Sequence, residues 1–274
     1  MTTVGIATGA GRGMGLACAR RMATMVDQLL LVDLDEGAAT AAAAELAALD
    51  GAAAVEPFAL DVTDAGGVAR LAARAAELGT LRAVAHAAGI SPTMADWRAI
   101  FTVDLVATAR LAEALRPQVT TGTAMVCFAS MAPHLAFHEP QAADTVLDDP
   151  LHEAFLDRIR DAVGESVEDS GMAYAWAKRG VHRFVCREAV LIGPQGGRIT
   201  SVSPGLIDTP MGAQEMAESP FMAVLLEKTP LGRTAAADEV AAVVSFLLSD
   251  EAGFLTGTDV LVDGGVCAAI EGLR

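Results

Sequence analysis

The sequence predicts an α/β fold, one doubly wound parallel sheet with helices on both faces, from three observations. Short apolar runs alternate with longer alanine-rich helical stretches from residue 3 to residue 262, with no linker between them. The first such run enters a glycine-rich turn that opens directly into a helical stretch. A chain of 274 residues, 53% hydrophobic and 20% charged, has ample material for one core.

Residues 3–7 read as a buried strand, followed by Thr8-Gly9-Ala10-Gly11-Arg12-Gly13-Met14-Gly15 and a helical stretch through Met25. Glycines there let the backbone approach a pyrophosphate, and the helix N-terminus offers free N–H groups and a positive dipole end. A second strand over 28–32 ends in Asp33, roughly 20 residues after the glycine turn, where a carboxylate accepts both hydroxyls of an adenosine ribose and repels a 2′-phosphate. Arg12 argues for that phosphate, but Asp35 and Glu36 add negative charge beside Asp33, so NAD is expected over NADP. A helix over 36–49, a strand over 53–60, Asp61-Val62, a helix over 64–78 and a strand over 81–86 follow. Asp61 is placed to meet an adenine amino group; as a plain helix N-cap it competes with Thr63 and Asp64. After Ala87-Ala88-Gly89 come a long helix over 97–115 and a strand over 123–128 that ends next to Ser130, at the sheet edge where such folds bind ligands. The chain closes with a strand over 197–202, a methionine-rich stretch over 206–230 expected as a mobile loop, a helix over 238–248 and a strand over 258–262. Regular alternation implies right-handed βαβ crossovers and one domain over 1–274.

A net charge of −16 opposes nucleic acid and anionic membrane surfaces as partners. Cys18, Cys127, Cys186 and Cys267 lack the close spacing of a zinc or redox motif and read as buried free thiols in a reducing compartment. No apolar run approaches a membrane span, and a strand at residue 3 leaves no room for a signal peptide, so a cytoplasmic protein is expected.

Chemistry is concentrated at Tyr174-Ala175-Trp176-Ala177-Lys178, which holds the only tyrosine and one of two lysines. In a helix these side chains lie one turn apart on one face. A free phenol titrates near 10, so a tyrosine working near neutrality needs a neighbouring cation. Alone, such a pair equally describes a core tyrosine beside a solvated lysine; the rest of the chain decides.

Thr8-Gly-x-x-x-Gly13-x-Gly15, Asp61-Val62, Ser130, Tyr174-x-x-x-Lys178, Pro204-Gly205 and Val262-Asp263-Gly264-Gly265 together resemble the short-chain dehydrogenase/reductase family over nearly the whole chain. The resemblance implies a Rossmann domain that transfers hydride between a nicotinamide cofactor and an alcohol or ketone. It makes Tyr174 the general acid/base and gives Ser130 the substrate oxygen. Lys178 would lower the phenol's pKa and bind the nicotinamide ribose, and Ile207 and Thr209 would hold the carboxamide. The cofactor cradle comprises Gly9, Arg12, Gly13, Met14, Gly15, Asp33, Asp61, Val62, Ala87, Ala88 and Gly89.

Two positions depart from the family pattern. His86-Ala87-Ala88-Gly89 stands for Asn-Asn-Ala-Gly, which removes a brace between strands, and Asp104 stands where an asparagine holds a relay water. An ionised aspartate only accepts hydrogen bonds, so Asp104 serves the relay as an acceptor, stays protonated if buried, or is a solvated helix residue. Ser130 and Tyr174 are also unusually far apart. The insertion, about 133–170, carries Asp149-Pro150 as a helix start and Leu151, Phe155, Ile159 and Val163 as an apolar stripe, expected as an amphipathic helix beside the active site. With Ala132-Pro133-His134-Leu135-Ala136-Phe137, it is similar to the bacterial 3α-hydroxysteroid dehydrogenase/carbonyl reductase subgroup, which implies hydrophobic substrates, steroids among them. His134 and His138 share a helical metal spacing, yet no third ligand beyond Glu139 presents itself, and no metal is expected. A homo-oligomer, dimer or tetramer, follows from the family. The rival reading is a catalytically weak NAD-binding sensor or interaction protein.

Overall fold

The computed structural model describes residues 1–272. Its strands are β1 (Thr3–Thr8), β2 (Gln28–Asp33), β3 (Ala54–Ala59), β4 (Thr80–His86), β5 (Ala124–Phe128), β6 (Arg198–Pro204), β7 (Ile207–Asp208), β8 (Ala235–Ala236) and β9 (Asp259–Val262). Among the described residues, seven of them form one parallel sheet in the order β3-β2-β1-β4-β5-β6-β9, and β7 pairs with β8 separately. The α/β fold is the one expected. Side chains alternate across the sheet: Leu30 and Val32 join one core with Val4, Ile6 and Phe101, whereas Leu29 and Leu31 join the other with Ala17 and Val244. Chain direction on the sheet reverses between β1 and β4, and the C-terminal ends of these strands open a crevice there.

The helices are α1 (Gly13–Met22), α2 (Glu36–Ala47), α3 (Ala65–Leu78), α4 (Trp97–Phe101), α5 (Ala107–Leu115), α6 (Ala132–Ala136), α7 (Asp144–Leu147), α8 (Phe155–Val163), α9 (Ser170–Ile192), α10 (Pro210–Glu218), α11 (Pro220–Lys228), α12 (Ala237–Leu248) and α13 (Val266–Glu271). Asp64, not Asp61, caps α3 by accepting from Gly66 N.

Three stretches differ from expectation. The helix expected over 97–115 is split by a π-turn at Thr102–Val106, the one-residue widening often found at functional sites. The stretch 206–230 folds into α10 and α11 rather than a loop. Thr209 accepts from Gly212 N with Pro210 following it, and Pro220 begins the next helix, so two N-terminal prolines set two helix starts. Within the insertion, α8 starts at Phe155, six residues past Asp149, whose carboxylate instead takes Arg158, and Leu151 remains exposed.

The insertion is a flank of the core. Phe155 and Ile159 are buried, and Phe155 meets Phe101 edge-on at 5.8 Å. Asp144 and Asp148 grip the arginines of α9: Arg179 Nε to Asp144 Oδ1 is 2.6 Å and Arg183 Nη2 to Asp148 Oδ2 is 2.8 Å. Cys18, Cys127 and Cys267 are buried, but Cys186 is exposed because it lies on the outer side of α9, correcting the expectation of four buried thiols. No helix among the described residues is long and apolar enough to cross a membrane.

Candidate active site

A 430 Å³ cleft opens at the crevice, within the range of small-molecule sites. Gly9, Arg12, Gly13, Met14, Gly15, Asp33, Asp61, Val62, Ala87, Ala88, Gly89, Tyr174, Lys178 and Thr209 all line it. Ile207, Ser130 and Asp104 do not; all three are buried, Ile207 in β7 two positions before Thr209.

Local geometry explains the glycine turn. Gly9 has φ +62°, and a Cβ there would stand 2.8 Å from Ala88 N; one on Gly15 would stand 2.0 Å from Gly9 O. The turn therefore packs backbone against backbone and leaves its outer side to the cleft. Arg12 at the N-cap of α1 makes no side-chain capping bond, so the first N–H groups of the helix point unshielded towards the cleft. Asp33 ends β2 with Oδ2 accepting from Gly11 N at 2.8 Å and Oδ1 from Asp35 N at 3.0 Å. Each oxygen keeps a lone pair for a further donor. Asp61 Oδ1 accepts from Thr63 N and Oγ1, which fixes the wall next to Val62. These residues fit a dinucleotide: an open helix terminus for the pyrophosphate, a carboxylate at the ribose position and an apolar rim.

At the other end, Asp169 caps α9 by accepting from Met172 N, and the helix holds Tyr174 and Lys178 one turn apart. Lys178 Nζ is 5.6 Å from the Tyr174 ring centroid, donates to Phe128 O at 3.0 Å and lies 3.5 Å from Asp104 Oδ1. The π-turn aims Asp104 inward, where it is fully buried and Oδ1 also accepts from Ile90 N at 3.0 Å. The solvated reading of Asp104 is excluded. Oδ2 has no hydrogen-bond partner among the described residues, and burial pushes the carboxyl's pKa up against the pull of Lys178.

Ser130, buried two residues past the end of β5, accepts from Ala132 N and lies close enough to Tyr174 to favour the ionised phenol. The expected lowering of the phenol by Lys178 is not what the protein alone shows. Burial, then Asp104 and then Glu215 raise the Tyr174 pKa, with Ser130 pulling the other way. The ammonium is committed to Asp104 and Phe128, so the site holds the tyrosine as a phenol.

The brace expected to be missing is present in another form. Ala88 N donates to Thr8 Oγ1, whose hydroxyl is 2.7 Å from His86 Nδ1; His86 Nε2 is 3.0 Å from Thr108 Oγ1, which donates to Asp104 O. Donor counting assigns the ring proton to Nε2, and burial lowers the His86 pKa to about 3, so the imidazole is neutral. It bridges β4 to β1 and to α5.

Sequence reasoning missed Ile90, Met94, Val103, Met211 and Gln214 on the cleft wall, and Glu215 beyond it. Thr209-Pro210 is a helix start, and reading it so would have placed Met211, Gln214 and Glu215 on one short helix over the cleft. None of the described residues 133–170 is among those lining this cleft.

Fold and site together define a dinucleotide-binding oxidoreductase scaffold with a Ser-Tyr-Lys centre. A family profile described as enoyl-(acyl carrier protein) reductase matches residues 9–145 and 160–267. The chain is 32% identical over 275 residues to a cis-4-hydroxycyclohexanecarboxylate dehydrogenase from Sinomonas cyclohexanicum, covering 97% of this chain and 96% of that protein. It is 31% identical over 272 residues to a D-threitol dehydrogenase from Mycolicibacterium smegmatis, covering 96% and 92%. Among solved structures, a short-chain type dehydrogenase/reductase from Mycobacterium ulcerans superposes with a TM-score of 0.77 at 24% identity over 97% of this chain and 90% of that one, a likeness of fold. The chain belongs to the short-chain dehydrogenase/reductase family.

Proposed function

We propose that the protein is a dehydrogenase/reductase that interconverts a secondary alcohol and a ketone on a small hydrophobic molecule, with NAD preferred over NADP. The observation that carries this reading is the convergence on one cleft of the glycine turn, Asp33 and the Tyr174–Lys178 pair, with Ser130 beside the phenol. When bound, the nicotinamide dinucleotide supplies the two-electron donor or acceptor and, oxidised, a positive charge. Tyr174 gives its proton to the substrate oxygen in reduction and takes it back in oxidation. Ser130 holds the same oxygen as charge develops on it. Lys178 and Asp104 form the inner end of the proton path, with the unpartnered Oδ2 of Asp104 as the next acceptor. For a mere NAD sensor this constellation has no purpose.

Asp33 supports NAD because its carboxylate lines the cleft with each oxygen held by one backbone N–H, of Gly11 and of Asp35, and able to accept from a ribose hydroxyl, whereas it would repel a 2′-phosphate. The substrate end is framed by Ile90, Met94, Val103 and Met211, with Gln214 as a polar contact. The activities named for two relatives, a cis-4-hydroxycyclohexanecarboxylate dehydrogenase and a D-threitol dehydrogenase, favour compact cyclic and vicinal alcohols ahead of steroids. A homo-oligomer remains part of this reading, supported by the exposed Phe246 on α12, Leu261 on β9 and Phe254 between them. The test mixes purified protein with NAD or NADP and a panel of cyclohexanols, diols, steroids and their ketones. No turnover on any member, with Tyr174→Phe indistinguishable from the parent, refutes the reading.

A further inference from the structure

Outside the cleft, His134 on α6, His182 on α9 and Asp259 at the start of β9 meet, although 125 residues separate the first from the last. One donor atom from each lies within 4.8 Å of the others. His134 Nε2 is 2.9 Å from Asp259 Oδ2, and His182 Nε2 is 3.4 Å from Asp259 Oδ1. Ser201 Oγ and Ser203 Oγ donate to Asp259 Oδ1 at 2.7 and 3.0 Å, and Ser203 Oγ is 2.9 Å from His182 Nε2. We propose that His134, His182 and Asp259 form a binding site for one divalent cation of the Zn²⁺, Co²⁺ or Ni²⁺ class.

Chemistry and geometry both select that class. Two imidazoles and one carboxylate suit borderline first-row ions, whereas Mg²⁺ and Ca²⁺ favour oxygen donors. Tetrahedral zinc with bonds of about 2.0–2.1 Å places its ligand atoms about 3.3 Å apart; His134 Nε2 is 2.9 Å from Asp259 Oδ2, and one donor atom from each of the three residues lies within 4.8 Å of the others. The remaining distances close by rotation of the His134 ring, whose side chain is 32% exposed. That exposure also leaves a fourth position for water. The serines keep Oδ1 engaged and orient the carboxylate, as outer-shell donors do at metal sites.

Arg179, three residues before His182 on α9, is paired with Asp144, which balances its charge. His138 is not a ligand: α6 ends at Ala136, and His138 Nδ1 lies 3.8 Å from Glu271. An ion here ties α6, which continues the chain from Ser130, to α9 and β9.

The full chain, treated with chelator and dialysed, is titrated with Co²⁺ and with Zn²⁺ without nucleotide, following visible absorption and thermal unfolding. Expected are one equivalent per chain, the intense d–d bands of low-coordinate Co²⁺ and, at a hundredfold excess over Kd, a Tm rise of about 5–10 °C. His134→Gln, His182→Gln and Asp259→Asn each abolish both signals, and Mg²⁺ produces neither. Cys186→Ser, which removes the exposed thiol one turn further along α9, leaves them intact. His134→Gln replaces a partly exposed side chain and so keeps the test valid if the other variants misfold. No bands and no Tm shift in the parent, binding that survives His134→Gln, or loss of binding in Cys186→Ser overturns the site.

Discussion

Acidification should expose the neutral imidazole at the centre of the fold. His86 is buried, its ring proton is committed to Thr108, and its pKa is lowered to about 3 from an ordinary value near 6.5. A group depressed on folding contributes stability that is complete above its unfolded pKa and is lost as pH falls towards its folded pKa. The window therefore runs from about pH 6.5 to about pH 3. At pH 4 the gap is about 2.5 pH units from the unfolded pKa, worth about 3 kcal/mol at 1.36 kcal/mol per unit. Carboxylates titrate in the same range, so the quantity to measure is a difference. Guanidinium unfolding of the parent and of His86→Asn, an uncharged donor and acceptor, is followed at pH 7 and pH 4. The parent should lose about 3 kcal/mol more than the variant over that interval. Equal losses would mean that His86 is not the neutral bridge between Thr8 and Thr108.

Five further outcomes follow from the site and the insertion. Tyr174→Phe should lower turnover by about 10²–10⁴-fold while cofactor binding, read by calorimetry, is retained. Because the Tyr174 pKa is raised, alcohol oxidation should climb with pH through the alkaline range and ketone reduction fall over the same range. Asp104→Asn removes a charge that raises the phenol, so both profiles should move to lower pH; an unmoved profile would separate Asp104 from the proton path. Asp33→Ala should narrow the ratio of kcat/KM for NAD over NADP, and an unchanged ratio would reassign the ribose contact. Phe155→Ala should cost about 3–5 kcal/mol in denaturant unfolding while KM stays constant, because the ring fills core beside Phe101 and not the cleft.

Local signals carried the architecture. Strand, glycine turn and helix are written in consecutive residues, and the acidic end of β2 and the Tyr174–Lys178 pair depend only on spacing within one element. What escaped depends on contacts between distant segments. Asp104 is reached through the family pattern alone; its burial follows from the π-turn, which rotates it under Gly89, where an added Cβ would meet its Oδ1 at 2.8 Å. The partners of His86 come from β1 and α5, and neither is visible from the departure at Ala87 alone. Likewise, the spacing of His134 and His138 drew attention to one helix, whereas the neighbours of His134 come from α9 and β9. At Thr209-Pro210 and Ser219-Pro220 the signal was local, but methionine-rich composition obscured it.

The stapling of residues 144–163 onto the arginines of α9 has a practical reading for anyone wishing to redirect this catalyst. That excursion spends its apolar side chains on the α4 flank and its acids on Arg179 and Arg183, and none of its residues lines the cleft. On the proposed reading, selectivity falls to Met94, Val103 and the first turns of α10, which do line it. A mutant library confined to those positions can vary the substrate while the frame that aims Tyr174 stays fixed.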